Sequence, residues 1–356
     1  MIKRIPALLG GVLLVASLLN GCMKASEPPA PKAAAPAPAA GTAAPQITIK
    51  FAVGGPDTLP IFRAVKDYFK PQIETRSNGR IVVELYPGSQ LGDDVKLLES
   101  LRSGTLEAAG PTSAPLVGIV PEMAIFDIPF LFRNTKVADF ILDGKIGQDL
   151  SAKLEAKGLY NLAWSEMGFR YLTNSVREIK EPKDIKGLKL RTMENPIHLA
   201  TWRLLGANPT PMPVSEVFTA LKQQAIDGQE NPVVAISGWK FYEVNKYITL
   251  TGHVYSTLSF LYSKKIFDSY AKEDQDLIRQ IAKETGIKGR EIARNDEAKY
   301  IEDIKKTGLA TFTELTADQK KAFQSATASV WDLVSDKAGP DLIKELKAEL
   351  QKAPTD

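Results

Sequence analysis

Residues 188–232 read LKLRTMENPIHLATWRLLGANPTPMPVSEVFTALKQQAIDGQENP. Leu188-Lys189-Leu190-Arg191-Thr192 alternates apolar with polar residues and predicts a short strand ending near Arg191. Asn195-Pro196 follows, a cap residue with proline at the first helical position. Ile197, Ala200, Thr201 and Leu204 then share one helical face, and Gly206 closes the helix. Ser215 is placed to cap a second helix with Val217, Phe218, Leu221 and Ala225 inside and Gly228 beyond. Asn231-Pro232 repeats the cap-plus-proline signal and predicts a third. Strand followed by helix is the unit of an α/β protein with a largely parallel sheet. Ligands of such sheets collect at the carboxyl ends of the strands, which is where Arg191 falls.

The same alternation extends toward both ends. Ile47, Ile49, Phe51 and Val53 predict a strand over 47–53, and Thr58–Phe69 a helix carrying Ile61, Val65 and Tyr68. Asn78-Gly79 marks a turn before a second strand at Ile81, Val83 and Leu85. Asp94–Ser103 reads as a helix closed by Gly104, with short strands at Leu106–Ala109 and Leu159–Trp164. Toward the other end, Lys272–Thr307 is a helical stretch of 36 residues with an apolar stripe of isoleucines. Unbroken, it spans about 54 Å at ~1.5 Å per residue, enough to brace two lobes. Gly286 and Gly289 offer the alternative of two shorter helices.

At 356 residues the chain exceeds the ~250–300 at which a single core stops growing, so two lobes are expected. The net charge of +3, without a long basic run, excludes a nucleic-acid partner of the usual kind. A single cysteine, Cys22, excludes internal disulfides, thiolate zinc sites and iron–sulfur clusters. That cysteine stands at one informative place. Lys3 and Arg4 precede an uncharged apolar run, Ala7–Leu19, too short for a ~20-residue membrane span but suited to a signal-peptide core. Leu19-Asn20-Gly21-Cys22 resembles the lipobox of bacterial lipoproteins, which implies a diacylated Cys22 as the mature N-terminus. Ala25–Pro45 holds ten alanines and six prolines, a composition that builds a semi-extended tether and no core. The expected organisation is a signal peptide over 1–21, a lipidated tether over 22–46, and a body from 47 onward held outside the cytoplasmic membrane.

The search for reaction chemistry is mostly negative. Ser237-Gly238-Trp239-Lys240 and Lys306-Thr307-Gly308 match the S-x-x-K and K-T-G elements of a serine acyl-enzyme, but no S-x-N tripeptide lies between them. There is no G-x-S-x-G, G-x-G-x-x-G, P-loop or H-E-x-x-H. The helix macrodipole alone accounts for Asp93-Asp94 at a helix start, and His198 reads as a surface or satisfied core residue. What remains are Arg170, following Gly168-Phe169, and Arg191. Each is either a surface cation or a planar guanidinium aimed at a carboxylate in a two-pronged contact. Asn231 is either a helix cap or an amide offered to the same anion.

At these residues the chain resembles the solute-binding proteins of TRAP transporters, the DctP family. The matching pieces are Gly168-Phe169-Arg170, Asp184–Arg191, Gly206–Met212, Val217–Leu221, Ile226–Pro232 and Phe241–Val244. Earlier, Tyr86–Gly92 and Asp127–Phe132 fit as well, so the resemblance covers about 47–345. It implies an α/β, two-lobed periplasmic-binding-protein-like fold, with a ligand cleft between lobes and a long helix crossing both. The expected lobes are 47–167 with 258–296, and 168–257 with 297–350. It also implies a binding protein rather than an enzyme, needing no cofactor or metal. The ligand would be a small organic carboxylate (a C4-dicarboxylate, a sugar acid or a 2-oxo acid), delivered to one small and one large membrane subunit. The family's carboxylate clamp falls on Arg191, a second arginine contact on Arg170, and a polar contact on Asn231. Thr112, Ser113 and Asp93 follow as further contacts. Val214 departs from the pattern, standing where many members carry an aromatic residue. A sensory ligand-binder feeding a receptor is the alternative from another class.

Overall fold

The computed structural model describes residues 47–355, so the expected signal peptide, Cys22 and the expected tether lie outside the described residues. Ten strands run through the body: β1 (Ile47–Ala52), β2 (Ile81–Tyr86), β3 (Ala108–Ala109), β4 (Leu159–Asn174), β5 (Lys189–Thr192), β6 (Asn208–Pro211), β7 (Gly228–Pro232), β8 (Tyr247–Leu250), β9 (Tyr255–Ser263) and β10 (Thr311–Glu314). Their spatial order is β2-β1-β3-β9-β4-β7-β5-β6, with β8 on β4 and β10 on β8. The β1–β2, β1–β3, β5–β6 and β5–β7 pairs are parallel, as expected of strand–helix alternation, whereas β4 and β9 run antiparallel.

β4 is the strand that makes two halves into one protein. Leu159–Phe169 pairs with β9 in the first half, and Arg170–Asn174 pairs with β7 in the second. The sequence reading ended this strand at Trp164 and put Arg170 beyond it. The strand instead continues through Gly168, whose φ of +94° fits a register shift against β9 between Glu166 and Gly168. Glycine takes that conformation without a Cβ penalty, so Gly168 serves as a bulge within a longer strand. Arg170 therefore sits at the passage between halves.

Local signals elsewhere were partly redirected by packing. The helix expected over Thr58–Phe69 begins at Pro60 and continues to Arg76, with a widened π turn at Val65–Phe69. That turn directly precedes Pro71, which cannot donate a helical bond and needs room from the preceding turn. Asn195 caps Pro196–Leu204 as expected, accepting from the backbone N–H of Ile197 and His198. Ser215 caps nothing; the next helix, Val214–Lys222, starts one residue earlier after Pro213. Asn231 is not a cap either. It lies inside β7, and the following helix starts at Val233.

Lys272–Thr307 is one helix, ended by Gly308 at φ +68°. Gly286 and Gly289 do not break it; they let it lie against β4. A Cβ on Gly289 would stand 2.3 Å from Ser165 Oγ, and one on Gly286 2.8 Å from the Trp164 carbonyl oxygen. Ile278, Ile281 and Ala282 join the core of the first half with Phe51, Phe69 and Phe260. Ile304, about six turns further, joins a core of the second half with Phe241 and Ile248. The helix thus ties both halves together.

The chain's last part divides differently from the expected allotment of 297–350 to one lobe. β10 pairs with β8, and Phe323 packs with Leu172 and Trp202 of the second half. Helix Val330–Ala338 instead packs on Pro121–Asp127 and also touches Pro196–Leu204, helix Pro340–Lys352 packs on Thr135–Asp143, and their Val330, Val334, Ile343 and Leu346 share one core with Val137, Ile141 and Leu142 of the first half. The apolar stripe of Pro340–Lys352 finds the helix Thr135–Asp143, with a matching stripe, a choice set by tertiary fit.

Candidate ligand-binding cleft

The carboxyl ends of β1, β3, β5 and β7 meet around one cavity. Gly54 and Gly55 follow β1, Gly110 and Thr112 follow β3, and Arg191 with Met193 comes from β5. Asn231 comes from β7, and Asp94, Met167, Val214 and Trp239 complete the wall. Both halves contribute, and the position obeys the rule for open α/β sheets.

Arg191 is 2 % exposed. Its Nε and Nη2 donate to the Met212 carbonyl at 2.8 and 2.5 Å, and no carboxylate among the described residues forms an ion pair with it. Burial pulls its guanidinium down to about 10, a shift that the charge of Arg170 deepens and that of Glu230 opposes. A buried cation held by one carbonyl is costly to the fold, because desolvation is not offset by a counter-charge. The surface-cation alternative is therefore excluded for Arg191, and its remaining donors suit a carboxylate.

Arg170 is also buried, but its charge is already met. Its Nε and Nη2 hold the Glu230 carboxylate, and Nη2 also reaches the Glu230 carbonyl at 2.6 Å and Asn231 Oδ1 at 3.3 Å. Only Nη1 is lightly engaged, at 3.2 Å from Ser256 Oγ. Arg170 does not line the Arg191 cavity. It lines a small hollow beneath it, with Ser113, Asp127 and His198, and the two share Thr112 and Met193.

That lower layer is a buried charge network. Glu230 also accepts from His253 Nε2 at 3.0 Å and lies 3.7 Å from His198 Nδ1. His198 Nε2 meets Asp127 Oδ1 at 2.9 Å, while Asn195 Nδ2 donates to Asp127 Oδ2 at 2.7 Å. Burial alone would push both carboxylate and imidazole toward neutrality. The charge of Arg170 and the histidine hydrogen bonds overcome it and hold Glu230 well below the usual carboxylate range. Asp127 and Glu230 together carry His198 up to about 9 against the same burial penalty, while burial wins at His253 and lowers it. His198 is thus a satisfied core residue.

The other expected contacts separate. Thr112 lines the cavity, and its N–H and Oγ1 both donate to Asp94 Oδ2, at 3.0 and 2.7 Å. Asp93 does not line it; its carboxylate accepts from Ser89 Oγ at 2.9 Å and, across to the second half, from Ser215 Oγ at 2.9 Å. Asp94, which the macrodipole seemed to explain, is the acid in the cavity wall, and burial raises it to about 6. The remaining enzyme-like motifs come apart. Ser237 lies in the short helix Val233–Gly238, Lys240 pairs with Glu243 at 3.8 Å, and Lys306 pairs with Asp303 at 3.6 Å. Glu230 and Trp239 were missed because each sits beside a stronger local signal, the Asn231-Pro232 pair and the S-x-x-K match.

Residues 51–337 match the family model described as bacterial extracellular solute-binding protein, family 7, DctP. The chain is 39% identical over 279 residues to the 2,3-diketo-L-gulonate-binding periplasmic protein YiaO of Escherichia coli, covering 78% of this chain and 84% of that protein. It is 31% identical to the C4-dicarboxylate-binding periplasmic protein DctP of Rhodobacter capsulatus, over 85% and 90% of the two chains. Among solved structures, the sugar acid binding protein DctPAm of Advenella mimigardefordensis, in complex with galactonate, superposes with a TM-score of 0.84 at 37% identity, covering 87% of this chain and 99% of that one. A TRAP periplasmic solute-binding protein of Sulfurospirillum deleyianum with bound succinate gives 0.82 at 31% identity, over 85% and 99%. No helix among the described residues is long and apolar enough to cross a membrane. With its two-half fold, its cleft at the strand ends and these relatives, the chain belongs to the DctP family of TRAP-type extracellular solute-binding proteins, which bind small organic acids.

Proposed function

We propose that this protein captures a small organic carboxylate in the cleft, with Arg191 as its anchor, and delivers it to the small and large membrane subunits of a TRAP transporter. The observation that carries the reading is a buried guanidinium whose protein partner is a carbonyl oxygen rather than an acid. An incoming carboxylate restores the missing counter-charge in a dry cleft, where a two-pronged pair is strongest. Asn231 offers an amide from β7 and Thr112 a polar group from the opposite half. Arg170 adds positive charge from the layer below, its Nη1 engaged by Ser256 rather than by Glu230. Lipidation of Cys22 would hold the body at the membrane, the tether giving it reach. The protein performs no chemistry on its ligand.

A thermal-shift panel of organic acids and neutral polyols tests this. A bound ligand at a hundred times its Kd adds about 2.7 kcal/mol of stability. The expected result is a raised Tm with one or a few carboxylates and none with the matching polyols. A panel in which neutral sugars shift the Tm and acids do not would overturn the reading.

A further inference from the structure

Two residues just outside the cavity wall meet across it. Asp93 precedes Asp94 and Ser215 follows Val214, wall residues of opposite halves. Asp93 stands at the N-cap position of its own helix, Asp94–Ser103, yet its side chain caps no N–H of that helix. The helix Val214–Lys222 of the other half begins after Pro213, which has no capping side chain. Asp93 takes that vacant role. Its Oδ2 accepts from Ser215 Oγ at 2.9 Å, and its Oδ1 accepts from the Ser215 N–H at 3.4 Å. Ser215 is the second residue of the helix, whose N–H a capping side chain ordinarily takes. Resting on the reading of the cleft as a carboxylate site, we propose that Asp93 and Ser215 form a latch across the rim of the cleft, which sets how long a ligand stays without touching it.

A ligand enclosed between two halves leaves when they part about their hinge. Parting breaks both bonds to Ser215 and leaves the start of Val214–Lys222 without its cap. A carboxylate in that place also gains from the positive end of the helix dipole, so the contact is stronger than one between neutral groups. The loop after β2 fixes Asp93 beforehand. Ser89, at φ +60°, sets its Oγ 2.9 Å from Asp93 Oδ1 and 2.7 Å from the Gly54 carbonyl oxygen, beside the end of β1. A carboxylate already held loses little freedom when the other half arrives. Both members of the latch belong to the protein, so its contribution is the same whichever acid lies beneath it. The cavity wall decides which ligand binds; the latch acts on the release of any.

Stopped-flow tryptophan fluorescence tests this by timing the release of galactonate and of succinate, with any acid that raises Tm in the thermal panel replacing one that does not bind. Wild type is compared with Asp93→Ala, Ser215→Ala and the double variant. Each single variant should release about fivefold faster, the effect of a lost helix cap, by the same factor for each acid and with little change in association. The double variant should release no faster than the singles, because both remove one interaction. Ser215→Thr keeps the hydroxyl and should release at the wild-type rate. A merely structural role for Asp93 would lower the Tm of the free protein and leave release within twofold of wild type, which overturns the proposal. Release from the double variant at the product of the single effects overturns it too, as does a factor that differs more than threefold between acids, the mark of a ligand contact. Those outcomes leave the carboxylate site intact, whereas binding of no acid in the panel defeats the site reading itself. Ser215→Ala, at an exposed position, decides the matter even if Asp93→Ala fails to fold.

Discussion

Arg191→Ala is expected to weaken carboxylate binding by roughly 10²–10³-fold while leaving the protein folded. Removing one partner of a buried charge pair costs ~3–5 kcal/mol, and each 1.4 kcal/mol is about tenfold in Kd. The effect should fall on binding alone, for a reason visible in the free protein. Arg191 is buried against the Met212 carbonyl with no acid among the described residues to pair it, so its charge costs the fold more than it contributes. Arg191→Met, which keeps most of the volume, should therefore match or exceed wild-type Tm without ligand and still fail to bind. Arg191→Lys keeps the charge and loses the fork, so a smaller but clear loss of affinity is expected. Calorimetric affinity with circular dichroism as the folding control reads all three. Affinity of Arg191→Ala within threefold of wild type would place the clamp elsewhere.

Glu230→Gln should have the opposite signature, a large loss of stability. Glu230 holds the buried Arg170 through both carboxylate oxygens and also bonds His253. Its neutralisation strands a buried guanidinium, at ~3–5 kcal/mol, which for a chain of this size lowers Tm on the order of 10 °C. The same network sets a pH dependence. His198, raised from 6.5 to about 9 by Asp127 and Glu230, binds more protons folded than unfolded between those values. Its stabilising contribution is full below about pH 6.5 and is lost as pH rises through about 9. His253, lowered by burial, works on the other side and makes stability fall as pH drops below its ordinary value. Wild-type Tm should therefore decline from pH 7 to 9.5, and Glu230→Gln, lacking one of the two acids facing His198, should decline less. An equal slope in both proteins would take Glu230 out of that network.

Much of this was legible in the sequence because local rules and tertiary fit agree over most of the chain. Leu188–Arg191 reads as a strand and is one; Asn195 reads as a cap and accepts from two backbone N–H groups. The departures share a cause. Ser215 has a capping side chain, but its Oγ is taken by Asp93 from the other half, a partner no local window contains. Asn231-Pro232 has the letters of a helix start, yet β4 pairs with it, and β5 with Gly228 and Gln229 just before it, which draws it into a strand. Gly168 carries β4 through a register shift past the expected end at Trp164, and Gly286 and Gly289 fit a helix to its neighbour. Arg191 could be singled out by its place at a strand end. Asp94 could not, because an acid in the first turn of a helix already has a sufficient local explanation. Glu230 likewise reads as a solvated charge until the fold surrounds it with Arg170, His198 and His253.

The central claim is that a carboxylate completes Arg191. A crystal structure of the protein with an acid from the thermal panel tests it most directly. The account predicts the ligand's carboxylate on the Arg191 guanidinium, within about 3 Å, between the strand ends of the two halves, with Arg170 still paired to Glu230. A ligand whose carboxylate lies elsewhere, with Arg191 still bound only to the Met212 carbonyl, would contradict it.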